Sequence, residues 1–181
     1  WNVSDVSNDV TCPGGCDGDI DLTVAGGTPG YSYSWTGPGA FTAATEDING
    51  LCAGTYDVTI TDSELCTTTH SVLINEPPAW NVSDTHNDVL CPDSCNGDID
   101  LTVAGGTPGY SYSWTGPGAF VAATEDISGL CAGTYDVTIT DSDLCTTTHS
   151  VVIVEPPAWI ITHVQNDITC FGDCDGDIDL T

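Results

Sequence analysis

Hydrophobic and polar residues alternate along this chain with a period of two, and no apolar stretch of helical length has the three-to-four spacing of an amphipathic helix. Ile20, Leu22 and Val24 take one side while Asp19, Asp21 and Thr23 take the other. Tyr31, Tyr33 and Trp35 alternate with Ser32 and Ser34, and Tyr56, Val58 and Ile60 with Asp57, Thr59 and Thr61. Val72 and Ile74 follow the Thr67–Thr69 run. Such blocks predict half-buried strands. Turn signals separate them at Gly26–Gly30, Gly37-Pro38-Gly39 and Asp62-Ser63-Glu64. An opening strand within Asn2–Cys12 and a short one near Thr45–Ile48 bring the count to six or seven, which predicts an antiparallel sandwich.

The same pattern is written again 79 residues on, with Trp1, Trp80 and Trp159 opening the copies. Residues 80–158 repeat 1–79 except at the positions of Val6, Ser7, Thr11, Gly14, Gly15, Asp17, Thr42, Asn49, Glu64, Leu73 and Asn75. Residues 159–181 begin a third copy. A unit this long can carry its own core, unlike the repeats of a solenoid. The chain therefore reads as tandem domains, 1–79 and 80–158, followed by the opening fragment 159–181 of a third. Trp35 and Trp114 stand where immunoglobulin-like sandwiches bury a tryptophan. Tyr56 and Tyr135, each just after a Gly turn, match the tyrosine corner of that fold. The expected class is all-β: tandem immunoglobulin-like antiparallel β-sandwich domains, disulfide-stapled. The copies meet at Glu76-Pro77-Pro78-Ala79-Trp80 and Glu155-Pro156-Pro157-Ala158-Trp159. The paired prolines predict a semi-rigid joint, with Trp80 and Trp159 available to pack on the neighbouring domain.

Composition narrows function sharply. The chain has 27 acidic residues and neither Lys nor Arg. Without a cation to meet phosphate it cannot bind nucleic acid, and an anionic membrane surface would repel it. Lys Schiff bases, Arg clamps and P-loop chemistry are excluded with them. An all-acidic surface keeps a long polymer soluble through self-repulsion. Ten cysteines, distributed four, four and two among the copies, predict disulfides in an oxidising, extracellular setting. Small domains gain from them, at roughly 2–4 kcal/mol each.

Candidate chemistry is sparse. Asp17, Asp19 and Asp21, with Asp98 and Asp100 in the second copy, alternate like a calcium loop. They lack the fixed bidentate Glu of an EF-hand, and strand-edge carboxylates in solvent are the plainer reading. No cofactor is required, and Ca2+ is the single candidate. His70, His86, His149 and His163 pair with no cysteine at zinc-like spacing, so they read as polar strand residues and no catalysis is expected. Asn2-Val3-Ser4 and Asn81-Val82-Ser83 fit a glycosylation sequon that the third copy loses. Tyr31, Tyr33 and Trp35 are expected in the core. If they faced solvent instead, the chain would read as a multivalent carbohydrate-binding module, with a calcium-dependent form as its variant.

The segments CPGGCDGDIDL (Cys12–Leu22), GGTPGYSYSW (Gly26–Trp35), TEDINGLCAGTY (Thr45–Tyr56), VTITD (Val58–Asp62), Cys66 and Glu76-Pro77 together resemble the SprB repeat. That family builds long surface adhesins of gliding Bacteroidetes. The resemblance implies a structural repeat of an extracellular filament or adhesin stalk at the bacterial cell surface, exported by the type IX system. It implies service in attachment, gliding or contact with surfaces and other cells, without catalysis. Partners would be neighbouring repeats of the chain, identical chains in a bundle, and surface glycans or other cells, with no membrane insertion of this segment. Family repeats commonly carry cysteines like Cys12 and Cys66 but not like Cys16 and Cys52. If the common pair is bonded, the resemblance implies Cys12–Cys66 and Cys16–Cys52, and Cys91–Cys145 and Cys95–Cys131 in the second copy. A full strand from Gly54 to Asp62 would hold Cys52 and Cys66 roughly 25–30 Å apart, while Cys12 and Cys16 can separate by only about 14 Å. Both bridges fit only if that strand bends or is short, and a bond between repeats or between chains stays open. Direct Cys52–Cys66 bonding is excluded by the same distance. Partners for Cys170 and Cys174 are expected beyond Thr181.

Overall fold

Alternation becomes seven strands in each complete copy. In the first they are β1 (Asn2–Asn8), β2 (Gly18–Ala25), β3 (Ser32–Gly37), β4 (Phe41–Ala43), β5 (Ile48–Leu51), β6 (Gly54–Thr61) and β7 (Thr67–Ile74). The structure, a computed structural model, describes residues 1–167 and 177–180. One sheet runs β1-β2-β5 and the other β4-β3-β6-β7, every pair antiparallel. The chain changes sheet between β2 and β3, returns for β5, and crosses again to β6. That is the immunoglobulin-like way of closing two layers. The second copy repeats the order with β8 (Asn81–Asn87), β9 (Gly97–Ala104), β10 (Ser111–Gly116), β11 (Phe120–Ala122), β12 (Ile127–Leu130), β13 (Gly133–Thr140) and β14 (Thr146–Ile153). The third copy opens with a hairpin of β15 (His163–Asn166) and β16 (Asp177–Leu180). Cys170 and Cys174 lie outside the described residues.

Each copy has its own core. Ile20, Leu22, Trp35, Leu51, Tyr56, Val58, Ile60, Val72 and Ile74 are buried in the first, and their counterparts form a separate cluster in the second. Trp35 is only 1% exposed, and its indole N–H donates to the Thr45 carbonyl at 3.0 Å, so burial leaves no polar atom unpaired. Tyr33 in β3 and Tyr31 just before it stay half-buried at the core's rim, which corrects the expectation that all three are interior. The strand runs out from under the opposing sheet, and Tyr31 covers its end by packing on Trp1 with ring centroids 5.7 Å apart.

The tyrosine corner is present in both copies: Tyr56 donates to the Cys52 carbonyl at 3.0 Å, and Tyr135 to that of Cys131 at 3.1 Å. Phe41 meets the Tyr56 ring edge-on. Gly37 approaches the same ring so closely that an added Cβ would lie 2.5 Å from Tyr56 Cδ1. Across the open side of the sandwich, His70 Nε2 contacts Asp5 Oδ1 at 2.8 Å and ties β7 to β1, as His149 and Asp84 do in the second copy. His70 and His149 thus hold strands together, while His86 meets Asp84 within its own strand.

Replacing Tyr56 and Tyr135 together by Phe removes one hydrogen bond per domain. The expected loss is about 1 kcal/mol each, read as a lower urea midpoint with unchanged slope. Gly37→Ala is expected to cost more than Tyr56→Phe in the same assay, because backbone or ring must move to admit the methyl group.

Candidate functional site

The two ends of a copy carry different apparatus, and the register of the sheets determines which cysteine sits at which end. At one end β2 starts opposite the end of β5, with Gly18 paired to Leu51. Cys16 and Cys52 flank that pair and are bonded, as Cys95 and Cys131 are in the second copy. Gly18 is obligatory for the approach, since a Cβ there would lie 2.9 Å from Ile74 Cγ2 and 3.1 Å from the Leu51 carbonyl oxygen. The same end carries the Val10–Cys16 loop. Val10 N–H donates to the Asn75 carbonyl (2.9 Å), Gly14 N–H to Glu76 Oε2 (2.7 Å) and Thr11 N–H to Asp17 Oδ1 (3.0 Å).

At the other end stands the turn between β6 and β7, organised by Asp62. This carboxylate is only 5% exposed and accepts from the backbone N–H groups of Thr28, Glu64 and Cys66 at 2.9–3.0 Å. Asp141 does the same with Thr107, Asp143 and Cys145. Backbone donors around a carboxylate favour its charged form. Thr28 foremost, then Cys66 and Glu64, hold the Asp62 carboxyl below its ordinary value against the opposing effect of burial. Thr107, followed by Cys145 and Asp143, does so for Asp141.

These placements overturn the expected pairing of the remaining cysteines. Cys12 is bonded to Cys145 of the second copy, with Cα atoms 5.6 Å apart, and neither Cys12–Cys66 nor Cys91–Cys145 forms. The reason is geometric. β6 is a full eight residues, so Cys66 lies about 26 Å along the domain from the Cys52 end, where Cys12 is held. The strand neither bends nor shortens to bring them together. Cys145 occupies the leading end of the second copy, and the trailing end of the first is what faces it.

The joint between the copies is fixed on both sides. Glu76 fastens its start to the loop of the first copy through Gly14. Beyond the prolines, the Pro78 carbonyl accepts from Gly106 N–H at 2.7 Å. Trp80 then lies against Tyr110 with centroids 5.8 Å apart and over Gly106, where a Cβ would be 2.9 Å from the indole. Trp80 therefore packs on its own domain, as Trp1 does on Gly27 and Tyr31, and not on the preceding one. The loop it covers must stay slim, and Gly106 with φ +61° supplies both the space and the conformation. Pro77 and Pro78 span the gap between Glu76 and this anchor. At the second joint Glu155 accepts from Asp93 N–H at 3.1 Å, while Trp159 is 87% exposed beside Pro156 and Pro157.

The candidate calcium residues do not converge. Asp17 is turned back to cap Thr11, and hydrogen bonding from that residue, side chain before backbone, holds its carboxyl below the usual range. Asp19 accepts from the Asn8 amide at 3.1 Å, and Asp21 stands apart in solvent. In the second copy Asp98 takes the amide of Asn87, and Asp100 lies beyond it on the same strand. Among the described residues no group of three or more His, Cys, Asp or Glu is placed to hold a metal. Sequence reasoning missed Asp62, Asp141 and Glu76. The signal was the placement of Asp62 four residues before Cys66, repeated at Asp141 and Cys145, which reads as an Asx-type turn presenting a thiol.

The turn carboxylates make stability depend on acid. Their folded values lie below the ordinary 3.8, so the stabilisation is complete above that pH and is lost as pH falls below it through the depressed range. Asp62→Asn with Asp141→Asn is expected to lower stability at neutral pH and to flatten the acid limb of a stability–pH profile measured by urea unfolding.

The SprB repeat profile matches residues 4–40 and 83–119, the same stretch of each copy, from β1 through the turn after β3. Cys52, Tyr56 and Cys66 lie outside the match. No curated protein matches the chain. Among solved structures, the crystal structure of murine CEACAM1b is similar at 14% identity, over 86% of this chain and 100% of that one, with a TM-score of 0.32. The crystal structure of DIP-gamma IG1+IG2 is similar at 11% identity, over 84% and 97%, with a TM-score of 0.39. The two matches are spaced by one repeat length and include Cys12–Leu22 and Gly26–Trp35 of the first copy with their counterparts in the second, so over these stretches the chain is similar to the SprB repeat.

Proposed function

We propose that this chain is a stretch of an extracellular stalk on a bacterial surface, whose repeats are locked end to end so that it carries tension without lengthening. The observation that carries the reading is the Cys12–Cys145 bond, which joins consecutive domains where the Pro-Pro joint already clamps them. A bond between repeats adds little to either core. What it resists is their separation, and a stalk experiences that as its working load. Disulfides and the resemblance to surface repeats support the extracellular placement and export by the type IX route. An adhesive part carried at a distance, or adhesion along the stalk itself, would then serve attachment or gliding. Acidic surfaces, with no Lys or Arg, keep such rods apart unless cations gather between them. The multivalent glycan reading is disfavoured by the burial of Trp35 and by Tyr31 being taken up against Trp1.

Single-molecule stretching between the ends of the chain tests this. With the bond intact, only residues 1–12 and 145–181 are free to extend, about 160–175 Å at about 3.3–3.6 Å per residue. After reduction the whole chain should reach about 600–650 Å by the same rise. Two separate domain-sized extensions under oxidising conditions would defeat the proposal.

A further inference from the structure

Cys66 and Cys91 are the two thiols left exposed among the described residues, and each is the counterpart of a bonded cysteine one repeat away. Cys91 matches Cys12, and Cys66 matches Cys145. We infer that they are the open halves of the same bridge: Cys91 takes the turn cysteine of a following SprB-type repeat, and Cys66 the loop cysteine of a preceding one. The partner's identity rests on the stalk reading.

Both halves are already in the bonded conformation. Around Cys91, Val89 N–H donates to the Val154 carbonyl (3.0 Å), Leu90 N–H to Asn96 Oδ1 (3.1 Å) and Asp93 N–H to Glu155 Oε2 (3.1 Å). These reproduce the bonds of Val10, Thr11 and Gly14 around Cys12. Asp93 replaces Gly14 and keeps its left-handed backbone, at φ 59° against 73°. Around Cys66, Asp62 makes the contacts that Asp141 makes around Cys145. What differs is cover. Cys145, seated against the first copy, is 4% exposed, whereas Cys66 is open to solvent.

The seat beside Cys91 is also formed. A cavity of about 550 Å³ opens between the loop (Leu90, Cys91, Pro92) and the second joint (Pro156, Pro157, Trp159). Its loop wall, Leu90 and Cys91, is the counterpart of Thr11 and Cys12, which at the first joint meet Cys145 through the Thr11 carbonyl and the disulfide. The occupant is therefore the Asp-Ser-x-Leu-Cys turn of another repeat, since the cysteine of that segment meets the equivalent loop in this same molecule.

Bond formation needs an oxidant, supplied by a disulfide donor of the thiol-oxidoreductase class. One protein thiolate attacks the donor's disulfide and releases one donor sulfur as a thiol. The second protein thiolate then displaces the other, leaving the protein disulfide and a donor dithiol. Two protein thiols are oxidised and one donor disulfide is reduced.

The test alkylates native protein before non-reducing peptide mapping, applied to the 181-residue chain and to the protein isolated from its source. The four peptides are distinguishable, with Cys12 in TCPGGC, Cys91 in LCPDSC, Cys66 in SELC and Cys145 in SDLC. In the chain alone, Cys66 and Cys91 are expected to be alkylated while Cys12 and Cys145 are recovered linked. In the source protein both labels should disappear, with LCPDSC linked to a turn peptide and SELC to a Cys-Pro loop peptide from further repeats. Free thiols at either position in the source protein, or Cys91–Cys145 or Cys12–Cys66 in the chain, would overturn the inference. Pairing inside repeats would still leave a stalk of separately stapled domains, so this failure is distinct from one in the stretching experiment.

Discussion

An extended strand cannot bring its own ends together, and that constraint organises this molecule. β6 and β7 are eight residues each and paired over their whole length. They set the long axis of the domain and separate the Asp62 turn from the Cys12 loop by about 26 Å. Once the hairpin is formed, a cysteine at each end has no partner within its own domain. Tandem duplication then supplies one for Cys12, because the trailing end of the first copy faces the leading end of the second.

With no Lys or Arg, the chain satisfies its carboxylates in an unusual way. Asp9, Asp17, Asp47, Asp62 and Glu76 each accept from backbone N–H groups, and Asp19 from a side-chain amide. Acidic residues here act as loop organisers, tying irregular backbone to irregular backbone where a cation would elsewhere have bridged side chains. Such bonds are short-range and charge-assisted. They leave the net charge of −27 unneutralised, so the loops are ordered while the surface as a whole stays repulsive.

Much of the fold was legible in the sequence because burial and hydrogen bonding both follow a period of two. The buried faces of β2 and β6 are those that the alternation of Ile20-Leu22 and Tyr56-Val58-Ile60 predicts, and Trp35 and Tyr56 take the places expected of them. The Tyr31 and Tyr33 positions were less legible, since alternation gives the side of a strand but not how far the opposing sheet extends over it. The candidate site was harder still. A bond to the next repeat depends on how two domains stack, and no periodicity within one domain encodes that. The sequence did contain the warning, in the distance that β6 must span. That Trp80 packs back on its own domain is not legible from its place at a boundary, because Gly105 and Gly106, which make room for it, lie 25 and 26 residues on.

The 133-residue span of the Cys12–Cys145 bond also bears on damage. A single nick in the backbone anywhere from residue 13 to residue 144 leaves the two fragments covalently attached, because the sulfur bridge closes a ring around the break. Backbone cuts within that ring, however many, do not part its two flanks; the sulfur bridge itself must also be broken before anything beyond it is shed.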